Sequence, residues 1–156
     1  MQYVYIFILS KCSFLMVVLK TAYSPKGLVH YSVGAIIKKG DRILLIDRAV
    51  LPLGFACPAG HVEHKETFEE ALLREVKEET GLQVFGYNLL FEETVYGNKC
   101  SKGAHNHNWI VFECKVKGDE RKNNEVKSMG WYSKEEIKKL KLELSWDFIL
   151  KKLSII

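Results

Sequence analysis

The sequence predicts an α+β domain, on three observations. Strand-length runs of β-branched and aromatic residues recur between polar or glycine-bearing turns. One central window, residues 60–82, carries a helix start signal and a glycine stop. A second amphipathic stretch closes the chain. At 156 residues the chain fits one domain and can bury a core without disulfide or zinc staples.

The elements follow in order. The opening "MQYVYIFILSKCSFLMVVLK" is strongly apolar, yet no basic residue precedes the run and no small-residue cleavage site follows it. Ser10-Lys11-Cys12-Ser13 divides it into halves short of the roughly 20 apolar residues a spanning helix needs. Residues 3–8 and 14–18 therefore read as two strands around a polar turn. Residues 1–27 are expected to form an apolar extension, a β-hairpin followed by the connector Ser24-Pro25-Lys26-Gly27, with the compact domain spanning 28–156. A membrane tether in residues 1–20 is the rival reading.

"HYSVGAII" and "RILLID", joined by Lys38-Lys39-Gly40-Asp41, have the chemistry of a hairpin. "LPLGFACPAG" reads as a loop. Thr67 and Glu70 have capping-box spacing and Gly81 supplies a stop, predicting a helix between them. "QVFGYNLLFEETVY" and "NWIVFECKV" read as strands around a polar loop, residues 97–108, holding His105 and His107. "KSMGWYS" gives a last strand and "KEEIKKLKLELSWDFILKKL" one closing helix.

Net charge is +4, which suits an anionic small molecule and is too small to predict nucleic-acid binding. Cys12, Cys57, Cys100 and Cys114 form no C-x-x-C pair, so neither a zinc site nor a disulfide framework is expected. Reduced thiols in a cytoplasmic protein fit better.

Residues 60–82 contain seven glutamates. On a wheel of about 100° per residue, Phe68, Leu72 and Val76 mark the packing face; Glu79 falls between Phe68 and Leu72, Glu75 just outside them, and Glu78 on the same flank. Lys77 and Glu70 point the other way. Carboxylates four residues apart repel, and partial burial penalises their charge further. Arg74 offers partial compensation. A divalent cation is the most economical remedy, and hard oxygen donors on one rigid face suit Mg²⁺ or Mn²⁺.

Gly60, Glu66, Arg74, Glu75, Val76, Glu78, Glu79, Gly81 and Leu82 occupy every fixed position of the pattern G-x5-E-x7-R-E-U-x-E-E-x-G-U, where U is bulky and aliphatic. Its seven Gly, Glu and Arg positions would match by chance on the order of once in 10⁸ windows. The stretch resembles the Nudix box, and "VGAII…RILLIDR" and "GWYSKEEI" resemble the flanking elements of Nudix domains. The resemblance implies a mixed β-sheet sandwiched between helices in α/β/α layers, and hydrolysis of a nucleoside diphosphate linked to a group X. It implies Glu75 and Glu79 as principal ligands of Mg²⁺ or Mn²⁺, joined by Glu78 and the carbonyl of Ala59. Glu66 and Arg74 become orienting residues. A carboxylate must take the proton from water. Glu78 within the box and Glu125 in "NNEVKSMGW" are the candidates.

Subfamily markers downstream of the box are missing: no proline follows Pro58, and Tyr96 stands near but not at the position of a known tyrosine marker. A (deoxy)nucleoside triphosphate is therefore the first expectation for substrate, with ADP-ribose or a nucleotide sugar as the alternative. Arg48 is a candidate for phosphate, Phe55 and Tyr96 for stacking a base, and His107 for reading base or phosphate. No nucleic acid and no membrane is expected as partner, and a homodimer is compatible with the resemblance. A nucleotide-sensing module without catalysis is the rival from another class.

Overall fold

The computed structural model describes residues 21–24 and 27–156. The hairpin expected within residues 1–20 lies outside the described residues. Strand β1 (Thr21–Ser24) pairs antiparallel with β2 (Gly27–Lys39), placing Thr21 opposite His30. The expected hairpin joins β2 to β3 (Arg42–Arg48), with Gly40 at φ 63° in the turn. The stretch read as a loop instead contributes two short strands, β4 (Phe55–Ala56) against β3 and β5 (Ala59–His61) against β2. β6 (Gln83–Tyr96) and β7 (Asn106–Lys117) pair antiparallel, β7 lies parallel to β2, and β8 (Val126–Ser133) lies antiparallel to β3. The sheet is mixed, ordered β4-β3-β2-β7-β6, with β5 on β2 and β8 on β3.

Alternation along the central strands builds two cores. Val33, Ala35 and Ile37 of β2, with Ile110, Phe112 and Cys114 of β7, face helix α1 (Phe68–Thr80) through Ala71, Leu72 and Val76. Ile36, Trp109 and Val111 point to the opposite face, onto Trp146, Ile149 and Leu150 of helix α3 (Leu144–Lys152). The period-two pattern of a strand buried on both faces thus yields a sheet between helices. Gly34 lies on the α3 side, where a Cβ would strike the Trp146 ring.

Helix α1 begins as its sequence predicts. Thr67 accepts from the Glu70 amide, Glu70 accepts from the Thr67 amide, and Gly81 closes the helix at φ 74°. Thr67→Ala removes one half of this box and is expected to lower stability by about 1 kcal/mol, measured by urea denaturation.

Two further expectations are corrected. The single closing helix is two, α2 (Lys134–Ile137) and α3. Between them residues 138–140 turn, and residues 141–143 then run beside β4: the Phe55 amide donates to the Lys141 carbonyl, and the Glu143 amide donates to the Phe55 carbonyl. Glu143 then caps α3, its Oε2 accepting from the Ser145 and Trp146 amides. Pairing with β4 outweighs the helical period of residues 138–143. The polar loop also ends earlier than residue 108. Asn106, His107 and Asn108 are buried in β7, because β2 and β6 flank that strand on both sides.

Candidate active site

The packing of α1 on β5 brings the glutamates onto one turn of backbone. Glu79 is 3% exposed, and its Oε2 accepts the Ala59 amide at 2.8 Å. Its Oε1 lies 3.8 Å from Arg48 Nη1. The Glu75 carboxylate rests directly on Gly60, where a Cβ would overlap it. Glycine is required here for close approach, not for an unusual φ. Glu78, which the wheel puts on the same flank as Glu75, is exposed.

Arg74 ties this turn together. Its Nε and Nη2 hold Glu66 at 2.8 and 2.9 Å, Nη2 also donates to the His61 carbonyl at 3.0 Å, and Nη1 reaches Glu75 at 2.7 Å and Glu78 at 3.3 Å. Glu66 in turn accepts the Glu63 amide at 3.0 Å. Loop and helix are thereby fixed to each other. The hydrogen bond with Glu66 holds the Arg74 guanidinium well above its ordinary range.

Burial pushes Glu79 up to about 8, against the Ala59 amide and Arg48, which pull the other way. Burial also raises Glu75, despite its hydrogen bond with Arg74. Glu125 adds repulsion to both. It is exposed, in the loop before β8, and its carbonyl accepts the Ala49 amide at 2.7 Å. A buried and a half-buried carboxylate repelled by a third, with one arginine shared among three glutamates, form a donor set suited to a hard divalent ion. The residues present fit such an ion.

The model for the NUDIX domain matches residues 28–151. The chain belongs to the Nudix hydrolase family. An ADP-ribose pyrophosphatase of Methanocaldococcus jannaschii is 55% identical over 53 residues, covering 33% of this chain and 31% of that protein. A Caenorhabditis elegans protein named as a nudix hydrolase is 35% identical over 133 residues, covering 78% of this chain and 34% of its own. The chain thus spans about a third of the length of these curated relatives. Among solved structures, the MutT NUDIX hydrolase of Burkholderia pseudomallei has a TM-score of 0.69 at 24% identity, over 79% of this chain and 96% of that one. That likeness is of fold.

Beside the Nudix box lies a cavity lined by Arg48, Gly60, His61, His107, Trp109 and Glu143, among others. Of the residues expected to bind substrate, Arg48 and His107 line it, His107 from a strand and not from a loop. The structure does not bring the other two there. Phe55 packs edge-on against Tyr132, ring centres 5.6 Å apart, because β4 turns it toward β8. Tyr96, at the far end of β6, lines a groove with Leu144 and Phe148 of α3.

Glu143 escaped sequence reasoning, because it reads as the wet side of a helix. It is 2% exposed, burial raises its carboxyl, and Oε1 has no hydrogen-bond partner among the described residues. The indole nitrogens of Trp109 and Trp146, on the same cavity, also lack partners there. A buried acceptor and two buried donors thus accompany Arg48 among the groups that line the cavity.

Also missed was a cluster of His30, His61, His107 and Cys100. His30 on β2 stands opposite His107 on β7, and His61 on β5 stands opposite Ser32. Burial lowers all three imidazoles, His61 to about 3 and His107 to about 4. The strand alternation of "HYS" and "HNW" is the signal that was present, but it reveals a shared face only once the strand neighbours are known.

Proposed function

We propose that this domain hydrolyses a phosphoanhydride bond in a nucleoside diphosphate linked to X. The observation that supports this most is the convergence of the half-buried Glu75 and buried Glu79 carboxylates on the Ala59-Gly60 turn, beside the cavity that Arg48 lines. Glu75 and Glu79 would hold Mg²⁺ or Mn²⁺, with Glu78 and the Ala59 carbonyl contributing. Such an ion, when bound, neutralises phosphate charge and lowers the pKa of coordinated water.

The chain's own residues supply the rest. Arg48, anchored through Nε on the Pro52 carbonyl at 2.9 Å, keeps Nη1 toward Glu79 and the cavity, where it meets a phosphate. Arg74 and Glu66 keep the turn from moving when charge arrives. Glu125 takes the proton from the attacking water in preference to Glu78: Glu78 is engaged by Arg74 at 3.3 Å, whereas the Glu125 carboxylate makes no ion pair among the described residues. Glu125→Gln is expected to lower kcat by about 10²–10⁴-fold with KM little changed, and Glu78→Gln to lower it less, in steady-state assays. A larger loss in Glu78→Gln would reverse that order.

For X, a (deoxy)nucleoside triphosphate is the first reading. The name of the Methanocaldococcus relative favours a second, ADP-ribose or a nucleotide sugar. The test is product analysis after incubation with NTPs, dNTPs, ADP-ribose and nucleotide sugars under Mg²⁺ and Mn²⁺. Pyrophosphate with a nucleoside monophosphate supports the first reading; AMP with ribose 5-phosphate supports the second. Saturable nucleotide binding without turnover would replace both with a sensing module. We place the protein in the cytoplasm, as its unpaired Cys57, Cys100 and Cys114 suggest. No helix among the described residues is long and apolar enough to cross a membrane.

A further inference from the structure

Four side chains outside the carboxylate site meet at one point. His30, His61 and His107 project from three adjacent strands, β2, β5 and β7, and Cys100 arrives from the segment after β6. One candidate donor atom from each lies within 4.8 Å of all the others. His61 Nε2 and His107 Nε2 are 3.3 Å apart, and Cys100 Sγ is 3.7 Å from His30 Nδ1.

These separations match the edges of a small tetrahedron. With Zn–N of about 2.05 Å and Zn–S of about 2.3 Å, a tetrahedral zinc ion sets N···N edges of about 3.3 Å and N···S edges of about 3.6 Å. One pair of each kind already stands at that spacing, and with no pair of the donor set farther apart than 4.8 Å the rest close by changes of about 1.5 Å or less. The chemistry of the donors also discriminates. Imidazoles and a thiolate suit zinc, while magnesium and calcium take oxygen. We propose that His30, His61, His107 and Cys100 form a four-coordinate zinc site, distinct from the carboxylate site on α1.

Four protein donors leave no position open, so the role is structural. The ion would add a crosslink between β2, β5, β7 and the segment after β6. Cys100 sits in a tight turn, its amide donating to Ala104 and its carbonyl accepting from Gly103, so zinc would pin the segment 97–105 to β2 and β7. His61 follows Gly60, and its carbonyl is held by Arg74, so zinc would also brace the start of the Nudix box. A surface groove lined by His30, His61, Glu63, His64 and Lys102 offers a path from solvent. Binding releases the thiol proton of Cys100 to solvent and leaves the three imidazoles neutral. The expectation from sequence that zinc is absent relied on local C-x-x-C spacing, whereas these ligands come from four separate segments.

The test is cobalt substitution of the full-length protein, reduced and stripped by chelator. Expected are one tightly held Co²⁺ per chain on the thiolate site, in addition to any weaker Co²⁺ on the α1 carboxylates, with a near-ultraviolet thiolate-to-cobalt band, strong visible bands of a four-coordinate ion, and bleaching of both by Zn²⁺. Cys100→Ser should abolish the near-ultraviolet band. His30→Gln should weaken Co²⁺ affinity by more than about 100-fold, beyond the 10–100-fold that outer-shell partners cost. Glu79→Gln and Cys12→Ser should keep the near-ultraviolet thiolate band and the four-coordinate visible bands. Weak six-coordinate bands alone, or an unchanged spectrum in Cys100→Ser, would leave a hydrogen-bonded cluster and overturn the proposal. Should Cys100→Ser not fold, X-ray absorption on zinc-loaded wild-type protein decides: one sulfur and three nitrogen neighbours are expected, and an oxygen-only shell contradicts the site.

Discussion

Glu79→Gln is expected to lower kcat by about 10³-fold, the several kcal/mol that Lewis-acid stabilisation of phosphate charge supplies. Glutamine is nearly isosteric, and its amide oxygen can still accept the Ala59 amide, now at 2.8 Å from the carboxylate. The fold therefore has no reason to suffer. A 3% exposed charge with one arginine nitrogen at 3.8 Å is costly to keep, so the variant's metal-free melting temperature should equal or exceed that of the parent. Metal then separates the two proteins. Mn²⁺ at 100 times its Kd should stabilise the wild type by about 2.7 kcal/mol and the variant far less, read by thermal unfolding with and without EDTA. Lost activity together with a lowered metal-free melting temperature would mean that Glu79 is merely part of the packing.

Arg74→Ala carries the largest expected effect on stability. The side chain is 24% exposed and contacts Glu66, Glu75, Glu78 and the His61 carbonyl. Its removal leaves Glu66 and Glu75, 14% and 15% exposed, without their guanidinium partner. Breaking a buried pair from one side costs about 3–5 kcal/mol, and partial exposure of Arg74 places this case near about 3. At this chain length that corresponds to a fall of about 10 °C in melting temperature. Arg74→Lys keeps the charge and loses the fork that holds both Glu66 oxygens, so it should fall between the two. A loss below about 1 kcal/mol in Arg74→Ala would show that the turn is held by backbone alone.

Much of this was legible in the sequence for definite reasons. Helix α1 announces itself because Thr67, Glu70 and Gly81 act locally, and the wheel places Glu79 inside because a helix fixes its angle against Phe68, Leu72 and Val76. The β2–β3 hairpin is equally local. What stayed hidden depends on pairing between distant segments. Residues 138–143 keep a helical period yet bind β4 through Lys141 and Glu143, which no window of the sequence reveals. His107 reads as loop because its neighbours Asn106 and Asn108 are polar, while burial follows from β2 and β6 on either side. Phe55 and Tyr96 have the right chemistry for stacking, but the direction of each side chain was fixed by strand register. The buried Glu143 belongs to the same class: a charged residue in a lysine-rich stretch gives no sign that it caps a helix over a cavity.

The central claim, that α1 presents a divalent metal site, is tested most directly by titrating Mn²⁺ into wild-type and Glu75→Gln protein and following free Mn²⁺ by electron paramagnetic resonance. Saturable binding in the wild type, weakened at least tenfold in the variant, is the predicted result. Equal affinity in the two proteins, or no binding in either, would contradict it.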